Sequence, residues 1–200
     1  MPRPMNGAAV LIAASLCMGM AEAEPAFSHD YLELSYNRMH PNTGSLYEGA
    51  TLSGIGSRIS LSLDELSWVV VEHGNVSSED FDDSLRRGLE YSALLFGAAQ
   101  QVTDRGIWYF EAGPTFNRLT YGETQRSVVF ALGIRTRISP RFELGGGPRL
   151  DGVGRLDPST PEWTMRVNGL LSLSDRVALS ASYDYREDDR QWQLGARVSW

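Results

Sequence analysis

The histidines His29, His40 and His73 are the natural candidates for a general base in this chain. A hydroxyl nucleophile would have to lie within hydrogen-bond reach of one of them, with a third group to orient the ring. The best pairing is His73 with Ser77, because a spacing of four keeps both on one face of a strand. The adjacent carboxylate, Glu72, then falls on the opposite face. No hydrolase signature surrounds the pair, so catalysis is not expected. The run SSEDFDD, 77–83, gathers Glu79, Asp80, Asp82 and Asp83. It lacks the glycine turn and the closing glutamate of a calcium loop, and it reads as a solvated loop. LGGGPRL, 144–150, lacks the Lys-Ser/Thr ending of a phosphate-cradling loop, so its glycines are expected to ease packing or bending in a strand. No metal spacing and no cofactor motif is present.

The remaining chemistry is ionic. All 18 basic residues are arginine, and the net charge is -7. Guanidinium favours fixed, two-pronged contacts with carboxylates over the diffuse attraction of an ammonium. An acidic chain with no basic tract argues against a nucleic-acid partner.

The elements that carry these charges have a two-residue rhythm from about residue 29 onward. In SVVFALGIRTRIS, Val128, Phe130, Leu132, Ile134 and Ile138 share one face, and Ser127, Ala131, Gly133, Arg135 and Arg137 share the other. The spacing predicts ten strands, near 29–39, 50–63, 66–76, 85–100, 107–119, 125–138, 142–153, 163–173, 177–186 and 191–200. Eight is the alternative if two early segments are misread. In LSWVVVEHG both faces are apolar, and its parity stays open. Pro114 and Pro148 fall inside strands, where each removes a ladder donor; a bulge is the expected accommodation. Short polar turns recur at 103–105, 139–141 and 174–176, with Asp64-Glu65 as an earlier member. The intervening loops, 40–49, 77–84, 120–125, 154–161 and 187–190, are longer and more polar.

Two arrangements fit such a sheet: apolar side chains inward, as in a soluble lipid-carrying barrel, or outward into lipid. Strand length and aromatic placement favour the second. About 11 residues at roughly 3.3 Å each, tilted about 40°, span a hydrocarbon core. Trp108, Tyr109, Phe110 and Phe142 follow short turns, whereas Trp163, Tyr183, Tyr185, Phe116 and Tyr121 sit toward the longer loops. Together they form two interfacial girdles, with Trp192 and Trp200 at the ends of the last strand. Hydrocarbon satisfies no backbone donor, so a spanning sheet must close. The predicted class is all-β: a single closed antiparallel transmembrane barrel. Its interior charges, Glu90, Glu111, Arg135, Arg137, Glu143, Arg149, Arg166, Asp184, Arg186 and Arg197, are expected to pair with one another, and Glu33, Arg58 and Asp151 share that polar face.

Residues 1–23 read as an export signal. Arg3 supplies positive charge, 8–20 form the apolar run, and Ala21 and Ala23 occupy the two positions that signal peptidase inspects. Cleavage is expected after Ala23, leaving 24–200 as the barrel domain. The one cysteine, Cys17, lies in the removed segment, so no disulfide is expected.

The last octet, QLGARVSW, resembles the assembly signal of Gram-negative outer-membrane barrels: polar Gln193, Gly195, apolar Val198 and aromatic Trp200, where that family usually ends on Phe. With QQVTDRGIWYFEAG, TRISPRFELGGGPRL and SYDYREDDRQWQLGARVSW, it makes the chain similar to small barrels of the OmpA-barrel and OmpX type. The resemblance implies a location in the outer membrane, recognition by the barrel-assembly machinery, contact with lipid and lipopolysaccharide, and no cofactor. It implies a non-enzymatic role in the envelope or at the cell surface, with the longer loops meeting a host or cell-surface ligand. The alternatives are a narrow porin-like channel, a lipid A-modifying enzyme and a soluble lipocalin-like carrier. Arg38, Arg87 and Arg118, toward the outer strand ends, are expected either to meet lipid phosphate or to mark the polar interface.

Overall fold

The computed structural model describes residues 27, 29–41, 51–78, 88–119, 124–153, 161–186 and 189–200. The expected export segment with its expected cleavage positions Ala21 and Ala23, Tyr121, Arg87, the acidic run 79–83 and most of the long loops lie outside the described residues.

Ten strands form: β1 (Tyr31–Pro41), β2 (Leu52–Ser62), β3 (Ser67–Ser78), β4 (Gly88–Thr103), β5 (Gly106–Leu119), β6 (Thr124–Ser139), β7 (Phe142–Val153), β8 (Glu162–Ser172), β9 (Val177–Arg186) and β10 (Asp189–Ser199). Each pairs antiparallel with its sequence neighbours, and β1 pairs β10 to close the ring, with Glu33 opposite Arg197. Closure leaves no edge strand, so every ladder group has a neighbour on both sides. The seam extends past the last strand, where Trp200 N–H donates to the Asp30 carbonyl at 3.4 Å. The strand bounds fall within about three residues of those expected from the periodicity.

The apolar half of each pleat points outward. Ile55 is 70% exposed, Trp163 65% and Leu194 54%, while Val70 on the inner face is fully buried. On β6, Phe130 and Leu132 face out and Arg135 and Arg137 face the lumen. A water-soluble barrel would reverse this, because exposing so many large apolar side chains to water is unfavourable. The turns at 63–66, 104–105, 140–141 and 173–176 lie at one end. Trp108 and Phe142 ring that end on the outside, and Trp163, Tyr183 and Tyr185 ring the other.

Two expectations need correction. Tyr109 belongs to no girdle; it faces inward and packs against the lumenal apolar cluster. The prolines need no bulge: β4 and β5 keep one register across Pro114, with Ala93 opposite Thr115 and Phe96 opposite Ala112. Pro148 likewise lies between the unshifted pairs Ile134–Gly146 and Phe130–Leu150. Each proline faces lipid and omits its own rungs toward one neighbour.

The lumen has two unlike sides. Along β3, β4 and β6 it is apolar and filled: Trp68, Val70, Ala93, Leu95 and Val129 form a buried cluster, with Tyr91, Ala99 and Tyr109 against it. Two glycines make room for the rings. A Cβ on Gly97 would lie 2.1 Å from the Trp68 ring, and one on Gly133 would lie 2.4 Å from Tyr109. The side made by β7 to β10 and β1 is polar and open.

Candidate functional site

The inner face of each strand presents alternate residues, so nine strands project charge into one narrow space. An ion there loses most of its hydration, and the structure meets that cost with short pairs. Arg166 (β8) grips Asp184 (β9) with two bonds, 2.8 and 2.7 Å. Arg197 (β10) holds Glu33 (β1) at 2.9 and 2.8 Å and lies 3.8 Å over the Tyr31 ring. Arg135 (β6) reaches Glu143 (β7) at 2.6 Å, with Arg137 3.5 Å from the same carboxylate. Arg149 pairs with Asp151 at 2.9 Å on β7. Near the outer end, Arg186 meets Glu162 at 2.5 Å and Asp151 and Asp189 each at 3.7 Å.

One chain of bonds crosses the barrel. Arg149 donates to the Tyr91 hydroxyl at 2.8 Å, and Tyr91 donates to Glu72 at 2.8 Å. Arg58 bonds Glu72, and it also reaches Glu111 at 2.6 Å and the Tyr31 hydroxyl at 2.8 Å. Trp68 Nε1 donates to Glu111 at 3.0 Å. Six strands are thereby tied through the lumen, not only around its wall.

Of the ten interior charges expected from the sequence, nine face the lumen and sit in these pairs. Glu90 does not. It lies on the outward parity of β4 with Leu94 and Phe96, exposed near the strand's outer end. There the alternation continues one step past the belt, and a carboxylate on that face meets headgroups or water instead of hydrocarbon. Sequence reasoning missed Glu72 and Tyr91. Glu72 sits in the stretch whose parity stayed open. That openness has a physical cause: Trp68 and Val70 point inward into the filled side, so both faces of β3 are apolar. The parity of Trp68 and Val70 carries Glu72 inward with them.

The histidine and serine singled out for catalysis do not meet each other. His73 faces outward, and its Nδ1 bonds the Ser92 hydroxyl across to β4 at 3.0 Å. Of the assembly octet, Gln193 points inward and bonds Ser35 at 2.6 Å and Ser182 at 3.2 Å, stitching β10 to both neighbours. Gly195 leaves room for the Ser180 hydroxyl, which a Cβ would meet at 2.6 Å. Val198 and Trp200 face out.

Between the ion pairs runs a cavity of about 420 Å³. Its lining reaches from His29 and Tyr31 at the turn end to Gln125, Glu162 and Asp189 at the loop end. The segment before β1 folds into the turn-end mouth. Phe27 lies 5.1 and 5.2 Å from the Arg135 and Arg137 guanidiniums, and His29 stacks on Trp68 at 3.8 Å and 4°. Burial, with the nearby Arg135 charge, lowers the His29 pKa to about 4, so the ring packs there uncharged. Among the described residues, no group of three metal-ligating side chains forms.

This architecture can be set beside known structures. An outer membrane channel from Pseudomonas putida F1 aligns over 92% of this chain and 100% of its own, with a TM-score of 0.51 and 8% identity. The fold is that of an outer-membrane β-barrel. OprG from Pseudomonas aeruginosa (TM-score 0.46, 9% identity, 88% of this chain and 98% of that one) and the KdgM porin (0.45, 10%, 84% and 99%) are further matches. No protein-family model and no curated relative matches the chain.

Proposed function

We propose that this outer-membrane barrel is a non-enzymatic, narrow channel for small hydrophilic solutes, closed at its periplasmic mouth by Phe27 and His29 in the state described. The observation that carries this reading is the polar cavity running through the lumen from one mouth to the other. A barrel serving only as a scaffold could fill that space with side chains, as the β3–β6 side does. Here the wall carries Asn37, Gly56, Asn168, Ser180 and Ser182.

The resemblance carried by the last octet supports export to the outer membrane and recognition of β10 by the assembly machinery. The outward Arg38, Arg118 and Arg190 stand near the loop ends of their strands, where lipopolysaccharide phosphates are the matching partner. The loops on which a surface-interaction role depends lie mostly outside the described residues, so the channel is the reading that geometry supports.

Uptake of hydrophilic solutes by proteoliposomes tests it. Folded protein should admit solute slowly, and the double substitution Phe27→Ala with His29→Ala should speed entry several-fold. Vesicles that stay as tight as protein-free ones with both proteins contradict the proposal.

A further inference from the structure

From the lining of the same cavity we infer the class of solute: uncharged polyhydroxyl compounds, in preference to anions. This rests on the channel reading above and goes beyond it.

Each guanidinium that faces the cavity among the described residues has a carboxylate partner on its own or a neighbouring strand. Arg166 with Asp184 and Arg197 with Glu33 are held by two bonds each. Arg58 is shared between Glu72 and Glu111, and Arg149 between Asp151 and the Tyr91 hydroxyl. An entering anion therefore meets no uncompensated positive charge, and the lining carries eight carboxylates against six guanidiniums. The anion would have to shed water in a confined space or break a pair, and either is costly.

A hydroxyl group faces neither penalty. It donates and accepts at once. It can use the spare acceptor sites of a paired carboxylate and the spare N–H groups of a paired guanidinium without separating them. Between the pairs, the open wall offers Asn37, Asn168, Ser180, Ser182 and Gln193, which carry both donor and acceptor groups and no net charge. The volume of about 420 Å³ is at the small end of the range in which proteins hold small organic molecules.

The test compares ribitol with potassium gluconate, an ionic solute of similar size, by swelling of proteoliposomes. The stopper-free protein (Phe27→Ala with His29→Ala) serves as background. Ribitol should enter about tenfold faster than gluconate. Asp184→Asn leaves Arg166 uncompensated and should raise gluconate entry about tenfold while ribitol changes little. Glu33→Gln leaves Arg197 uncompensated in the same way and stands in if Asp184→Asn does not give a heat-modifiable, folded band. Asn168→Leu should slow ribitol several-fold without admitting gluconate. Gluconate entering as fast as ribitol overturns the solute class and leaves the channel standing. Entry of neither solute overturns the channel itself.

Discussion

The β3–β6 side of the lumen and the β7–β1 side are built from the same pleat but obey different rules. On the first, Trp68, Val70, Leu95 and Val129 pack against one another, and two missing Cβ atoms let aromatic rings lie flat on the wall. On the second, small polar residues leave space between arginines clasped to carboxylates. The contrast shows that a barrel of this size can separate two tasks within one cross-section. One side supplies rigidity through packing, the other keeps a wetted path, and the bonds from Arg58 to Glu111 and from Arg149 to Tyr91 tie them together.

Breaking that tie should have the largest effect. Arg58→Met leaves Glu72 and Glu111 facing each other without their shared cation. It is expected to cost about 3–5 kcal/mol, read as a lower urea midpoint for loss of heat-modifiability. A cost below about 1 kcal/mol would mean that the filled side does not need the ionic strut. Next is Gly97→Ala. Its methyl group would overlap the Trp68 ring, so Trp68 must move and its bond to Glu111 is lost. About 1–3 kcal/mol of stability and a shift in tryptophan emission are expected.

Acidity sharpens the comparison at the mouth where the two sides meet. His29 is held with its pKa near 4, against 6.5 when free. The docked segment thus binds fewer protons than the undocked one. Docking is fully favoured above pH 6.5 and weakens as pH falls toward 4. Solute entry should rise across that window in the native protein and stay flat in His29→Ala. The smallest effect is expected on the open side. Ser182→Ala removes one bond to Gln193 in a wetted wall and should change stability by less than about 1 kcal/mol. A larger loss would mean that this side is packed after all.

Much of the barrel was legible in its rhythm. Strands such as 128–138 alternate because one face meets lipid and the other meets charge, and the arginines were correctly read as inward on every strand where that contrast holds. The same logic failed where the contrast vanishes. In β3 both environments are apolar, lipid outside and the Trp68 cluster inside, so alternation could not orient Glu72. On β4, Glu90 was assigned by charge alone, yet Leu94 and Phe96 share its parity. The pairing partners were out of reach for another reason. Arg58 meets Glu111 across the lumen, a contact set by closure and strand offset, which no local spacing encodes.

The account depends most on water reaching one side of the lumen and not the other. Single substitutions Ser182→Cys, Ala93→Cys and Leu194→Cys, made with the one native cysteine, Cys17, replaced by Ala, can be exposed to a charged, membrane-impermeant thiol reagent in proteoliposomes. Modification is predicted at Ser182→Cys alone, with Ala93→Cys protected by packing and Leu194→Cys by lipid. Equal labelling of Ala93→Cys and Ser182→Cys, or none at Ser182→Cys, would contradict it.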